Sequence, residues 1–131
     1  STLIYYMVST PTNHKRHTMK NERELQAKCL KYARAQGVFA RKVETPAFNG
    51  FPDCIFFYNG RCMLIEFKHP NGKGRLSPIQ VKDHGRLLEV DVTVWVVEDY
   101  DIFTDLMEDF INDKRPIMRG GAGCYINSSH T

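Results

Sequence analysis

Two apolar runs, Asp53–Tyr58 (DCIFFY) and Arg61–His69 (RCMLIEFKH), are separated by only Asn59-Gly60. Asn-Gly between such runs is the strongest short-range mark of a two-residue hairpin, because a type I′ turn needs positive φ at both central positions. The turn fixes the register. Tyr58 pairs with Arg61, and each step away from the turn advances one residue on each strand. Five steps out, Asp53 stands opposite Glu66. Directly opposed residues share a face, with Cβ atoms roughly 4.5–5.5 Å apart. Lys68, two residues beyond Glu66, points to the same face and lies diagonal to Asp53.

Like charges directly opposite destabilise a sheet, and this pair sits among Ile, Phe, Leu and Met. A divalent cation would make the clustering favourable, and hard carboxylate oxygens suit magnesium or manganese. A lysine beside them can hold a water or a phosphate oxygen and stabilise developing negative charge. Two acids, a metal and a lysine are the parts needed to hydrolyse a phosphodiester. Taken singly, each residue has a plainer reading: Glu and Lys two apart on a strand form solvated ion pairs, and Asp after Pro is a common turn residue. The register links the three, and a bulged turn would separate them.

The rest of the chain surrounds this hairpin with alternating elements. Leu25, Cys29, Tyr32, Ala33 and Gln36 share a helical face over Asn21–Gln36, with Asn21 and Glu24 spaced as a capping box and Gly37 as the stop. Val38–Glu44 reads as a strand and Thr45–Pro52 as a loop. A second helix starts at Ser77, with Pro78 in its first turn and Gln80 at the capping-box position, and runs to about Leu88. Asp91–Val97 (DVTVWVV) suits a strand covered on both faces. Tyr100–Asn112 carries one apolar stripe, Ile102, Phe103, Leu106, Met107, Phe110 and Ile111, opposite acids. The order α-β-β-β-α-β-α describes an α/β domain with a mixed sheet flanked by helices. The expected organisation is an N-terminal arm over 1–18, the domain over 19–113 and a loose tail over 114–131 containing Gly120-Gly121-Ala122-Gly123.

At 131 residues, 42% hydrophobic and 25% charged, the chain is long enough to bury one core without disulfides. Its four cysteines, Cys29, Cys54, Cys62 and Cys124, lack CxxC spacing and are expected to be reduced thiols in a cytosolic protein. His14, His17, His69, His84 and His130 lack the spacing of a zinc site. Leu3–Val8 is too short for a signal segment or a membrane span, and Met7 and Met19 are both plausible starts. A net charge of +3 says little, but its distribution is uneven: His14–Arg23 and Lys68–Arg86 are basic and Glu98–Asp113 is acidic. Lys73, Arg75, Lys82 and Arg86 read as a phosphate-tracking surface, or more plainly as a solvated face.

The run Gly50-Phe51-Pro52-Asp53, then Glu66-Phe67-Lys68, then Leu76-Ser77-Pro78-Ile79-Gln80 resembles the VRR-NUC family of the PD-(D/E)XK nuclease superfamily. The resemblance covers about Glu22 to Val97 and implies a restriction-endonuclease-like αβββαβ core, here with an extra C-terminal helix. By position it implies Asp53 and Glu66 as ligands of Mg2+ or Mn2+, with the main-chain carbonyl of Phe67 as a further ligand. Lys68 would orient the attacking water or stabilise the transition state, and Gln80 would assist. A glutamate of the first helix would complete the site, Glu24 ahead of Glu22. The implied reaction is direct attack of metal-activated water on phosphorus, leaving 5′-phosphate and 3′-hydroxyl ends without a covalent intermediate. Short stand-alone members are typical of phages and bacteria. The resemblance to them implies a homodimeric, cytoplasmic endonuclease in a bacterial cell that resolves four-way (Holliday) DNA junctions, with no membrane partner. Flap, nicking or restriction-like cutting, and a DNA-binding module without catalysis, are the other readings.

Overall fold

A computed structural model describes residues 5–7, 19–114 and 126–127. The Asn59-Gly60 turn forms as the sequence requires, with φ of 49° and 82°. It joins β3 (Cys54–Tyr58) to β4 (Arg61–Phe67), using β1 (Tyr5–Met7) and β2 (Phe39–Lys42) for the two strands before them. Tyr58 pairs with Arg61 and Cys54 with Ile65, the expected register. β4 lies inside the sheet, antiparallel to β3 on one side and parallel to β5 (Val94–Val97) on the other. The full order is β1-β5-β4-β3-β2, with β6 (Ile126–Asn127) pairing to the start of β4.

Three helices cover this sheet: α1 (Glu22–Ala35), α2 (Pro78–Glu89) and α3 (Tyr100–Ile111). Alternation along β3 and β4 separates two faces. One carries Cys54, Phe56, Met63, Ile65 and Phe67, which join Leu25, Cys29 and Ala33 of α1 and Phe103, Leu106, Met107 and Phe110 of α3 in a single core. Phe103 packs between Phe56 and Phe67, with ring centroids at 5.8 and 5.9 Å. The other face carries Asp53, Glu66 and Lys68, and α2 lies against it.

Helix ends follow local chemistry. The side chains of Asn21, Ser77 and Asp99 each accept a backbone N–H at the start of their helix, which satisfies one of the otherwise orphaned donors there. Gly37, at φ 87°, ends α1. Arg61, beside the hairpin turn, is buried and donates from Nη2 to the carbonyls of Phe110 and Ile111 at 2.7 and 3.1 Å. A cation at a helix C-terminus is favourable, so the hairpin and the last helix are tied together.

Several boundaries differ from the sequence reading. β5 begins at Val94 rather than Asp91, because Val90 and Asp91 still donate to Leu87 and Leu88 and Asp91 takes a left-handed φ of 65°. β2 spans only Phe39–Lys42, and β4 stops at Phe67 rather than His69. On α1 the buried stripe includes Leu30, while Tyr32 is half-buried and Gln36 is the exposed C-cap. Short strands also fall in the segments read as arm and tail, at Tyr5–Met7 and Ile126–Asn127. The rest of the basic arm before Met19, His14, His17, Cys124, His130 and the glycine run at 120–123 lie outside the described residues. Cys29, Cys54 and Cys62 are free thiols, and burial pushes Cys54 up to about 12. Among the described residues no helix is long and apolar enough to cross a membrane.

Gly60→Val places a β-branched residue at positive φ, which costs roughly 1–2 kcal/mol. A fall of that size in unfolding free energy, read from a urea titration, is the expected outcome; an unchanged midpoint would contradict the turn.

Candidate active site

Asp53 sits one residue before β3, and the hairpin register carries it opposite Glu66. Its backbone carbonyl accepts the N–H of Val43 at 2.7 Å and its Oδ2 accepts the N–H of Phe67 at 2.9 Å. One residue thus closes the loop after β2 and grips the end of β4. Glu66 lies in the central strand and is 1% exposed.

The remaining polar groups reach Glu66 from β4 and α2. The capping box at Ser77 holds Gln80 in place: Ser77 N–H donates to Gln80 Oε1 at 2.9 Å, and Gln80 N–H donates to Ser77 Oγ at 3.2 Å. The same Oε1 accepts Lys68 Nζ at 3.0 Å, while Gln80 Nε2 donates to Glu66 Oε2 at 2.8 Å. Lys68 Nζ lies 3.5 Å from Glu66 Oε2. Gln80 is therefore a helix cap that also bonds Lys68 and Glu66.

Burial sets the electrostatics. Removal from water, reinforced by Asp53, pushes Glu66 up to about 8, and Lys68 opposes the shift. Burial also raises Asp53, against the Phe67 N–H and Lys68. Glu22, on the first helix, is raised by burial, with Lys68 lowering it and Asp53 raising it. Glu24 is elsewhere: it is exposed, its N–H donates to Asn21 and its carboxylate accepts Lys20 N–H at 2.8 Å. Glu22 is thus the helix acid that interacts electrostatically with Asp53, while Glu24 is bonded to Asn21 and Lys20.

His84 was not singled out by histidine spacing, yet it is 1% exposed, with Nε2 4.0 Å from Glu66 Oε1. Burial, helped by Lys68, lowers it to about 4, so the ring is neutral near pH 7. Its signal in the sequence is position, one helical turn beyond Gln80. Lys42, on the edge strand, also acts on Asp53 and was likewise missed.

The basic residues divide. Lys73 and Arg75 are exposed on the loop that folds back over Lys68, where a Cβ on Gly74 would stand 3.2 Å from Lys68 Cβ. Arg75 donates to the carbonyls of Gly72 and Gly74. Lys82 and Arg86 are exposed on α2, two residues out of phase with Gln80 and His84 and so on the opposite side of the helix. His69 accepts the N–H of Asn71 on Nδ1. Gly50 and Pro52 are buried, and the loop packs against the first turn of α2. A Cβ at Gly50 would collide with the carbonyl oxygen of Ile79 and stand 2.7 Å from its Cγ2.

The donor set suits a hard cation. Among the described residues no group of three or more His, Cys, Asp or Glu is gathered as a metal cage. The two carboxylates of Asp53 and Glu66 with the adjoining Phe67 carbonyl match magnesium, which keeps several of its own waters. Glu66 Oε1 is buried without a hydrogen-bond partner, so the carboxylate keeps unused lone pairs.

Compared with known proteins, the chain matches no family model and no curated protein. A solved structure described as a VRR_NUC domain superimposes with a TM-score of 0.60 at 22% sequence identity, covering 68% of this chain and 96% of that one. That likeness establishes the fold, an α/β architecture of the restriction-endonuclease type.

Gly50→Ala forces the loop off Ile79, and overpacking of this kind costs roughly 1–3 kcal/mol. The expected outcome is a loss of that size in urea unfolding; wild-type stability would show that the loop is not held against α2.

Proposed function

We propose that the chain is a VRR-NUC nuclease that hydrolyses DNA phosphodiesters with Mg2+ or Mn2+. The observation that carries this reading is the hydrogen-bonded convergence of Asp53, Glu66, Lys68 and Gln80 at one end of the sheet. The structural likeness to a VRR_NUC domain supports it independently of those distances.

Asp53, Glu66 and the Phe67 carbonyl would hold the cation, which supplies Lewis acidity at the phosphoryl group. Lys68, held at Nζ by Gln80, meets negative charge as it develops on the phosphate or orients the attacking water. Glu22 adds a further carboxylate at the edge of the site. Lys73 and Arg75, on the loop over Lys68, engage the DNA backbone, and shape rather than sequence is read. Lys82 and Arg86, on the far side of α2, would serve a longer duplex or a second arm. The favoured substrate is a four-way junction cut by a homodimer, because one such site cuts one strand and resolution needs two. The bacterial cytoplasm is the matching compartment.

A cleavage panel of four-way junction, flap, linear duplex and single-stranded DNA in Mg2+ tests this. Junction cutting is expected, with Asp53→Ala and Lys68→Ala each losing at least about 10²-fold in rate while retaining DNA binding. Equal cutting of linear duplex, or a monomer by light scattering with and without DNA, would remove the resolvase assignment. Full activity in either variant would remove the site.

Glu22→Gln and Glu24→Gln separate the two helix acids. The first should lower the cleavage rate with little change in stability, and the second should leave the rate intact. The reverse result would return Glu24 to the site.

A further inference from the structure

The geometry points to His84 as a positioning residue that holds Glu66 by donating from Nε2 to the Oε1 that Gln80 and Lys68 leave free. The inference rests on the reading of Glu66 as a metal ligand.

α2 turns two polar side chains toward the sheet, Gln80 and, one turn on, His84. Its neighbours in sequence behave differently: Lys82 and Arg86 are exposed, and Asp83 is half-buried. Gly85 is buried beside His84, so this turn of helix lies close against the strands. Three atoms there are buried without a hydrogen-bond partner, Glu66 Oε1, His84 Nδ1 and His84 Nε2. The great majority of buried polar groups in folded proteins are paired, so three orphans in one place require a reason. Two of them face each other across 4.0 Å. That is too long for a direct hydrogen bond, and a shift of about 1 Å would make one.

Glu66 explains what such a bond would do. Its Oε2 is fixed by Gln80 and approached by Lys68. A carboxylate fixed at one oxygen still swings about that contact. A neutral imidazole donor at the second oxygen sets the plane of the carboxylate and leaves its remaining lone pairs in one direction, toward Asp53. Partners of this kind behind a ligating carboxylate typically contribute 10–100-fold in metal affinity. If His84 merely filled space, an apolar side chain of similar volume would serve as well and would relieve the orphaned atoms.

The test uses the whole chain and Mn2+ as probe, with binding followed by titration of the free-ion EPR signal and melting followed without metal. His84→Leu fills the space without a donor, and His84→Gln keeps a donor. The expected result is Mn2+ affinity weakened at least tenfold in His84→Leu, with metal-free melting unchanged or raised, and recovery to within about threefold of wild type in His84→Gln. Wild-type Mn2+ affinity in a folded His84→Leu would overturn the inference and leave a space-filling histidine. Should His84→Leu fail to fold, His84→Gln decides: weakening beyond tenfold in a folded protein overturns the inference, and near wild-type affinity supports it. Asp53→Ala separates the two levels of the argument. Mn2+ binding that does not depend on Asp53 removes the metal-site reading itself, whereas Asp53-dependent binding that ignores His84 removes only this inference.

Discussion

Five rungs of antiparallel pairing lie between the Asn59-Gly60 turn and the point where Asp53 meets Glu66, and every contact at the site depends on that count. A slip of one residue along β4 would exchange the two faces of that strand. Glu66 would then face α1 and α3, and Phe67 would face α2. The apolar face therefore guards the polar one: Cys54, Phe56, Met63, Ile65 and Phe67 enter the core only in the register that aligns the acids. Arg61 adds a second lock at the turn itself, because its guanidinium reaches the end of α3 only when the first rung is Tyr58 with Arg61. Placing two carboxylates in a sheet is unfavourable by itself. The core holds them there.

Gln80 is where the second layer of control enters. A capping box is ordinarily a local device for starting a helix, and here its glutamine also spans Lys68 and Glu66. The phase of α2 is consequently set by the same side chain that orders the site. Gly50 makes the opposite contribution, since the absence of a Cβ lets the loop before Asp53 lie against Ile79 in the first turn of α2. Loop, strand and helix are thereby brought to one point by residues that stand close together in the chain.

What the sequence made legible was local. The turn type, the register, the helix cap at Ser77 and the alternation of faces all follow from spacings of four residues or fewer, or from counting outward from a turn. Glu22 shows how much more the same logic contained. Residues three and seven apart share a helical face, so Glu22 belongs to the row of Leu25 and Cys29, whereas Glu24 stands about 160° from Glu22 around the helix. The capping spacing drew attention to Glu24 instead. His84 was hidden for a different reason: its partner is Glu66, eighteen positions earlier, and only the packing of α2 on the sheet joins them. The split between Lys73 with Arg75 and Lys82 with Arg86 was legible in helical phase, but proximity in sequence obscured it. The strands at Tyr5–Met7 and Ile126–Asn127 are too short to show a period, and their pairing is decided by the open edge of β5 and the free start of β4.

The distribution of unsatisfied polar atoms carries the last step. Five buried side-chain atoms among the described residues lack a hydrogen bond, and three of them belong to Glu66 and His84. The other two differ in kind: Arg61 Nε has Asp113 within 3.6 Å, and Trp95 Nε1 belongs to an indole otherwise packed in the core. A fold selected for stability alone would replace Glu66 and His84 with apolar residues, because a buried ionisable pair rarely stabilises better than a packed apolar one. Retaining them concentrates the destabilising groups of the domain beside its carboxylate pair, in a sheet whose opposite face packs Cys54, Phe56, Met63, Ile65 and Phe67 into the core. Such local violations of otherwise consistent packing are expected where a surface must accept something from outside. The unsatisfied polar atoms therefore concentrate at Glu66, a carboxylate that the sheet holds buried but leaves with an unpartnered oxygen.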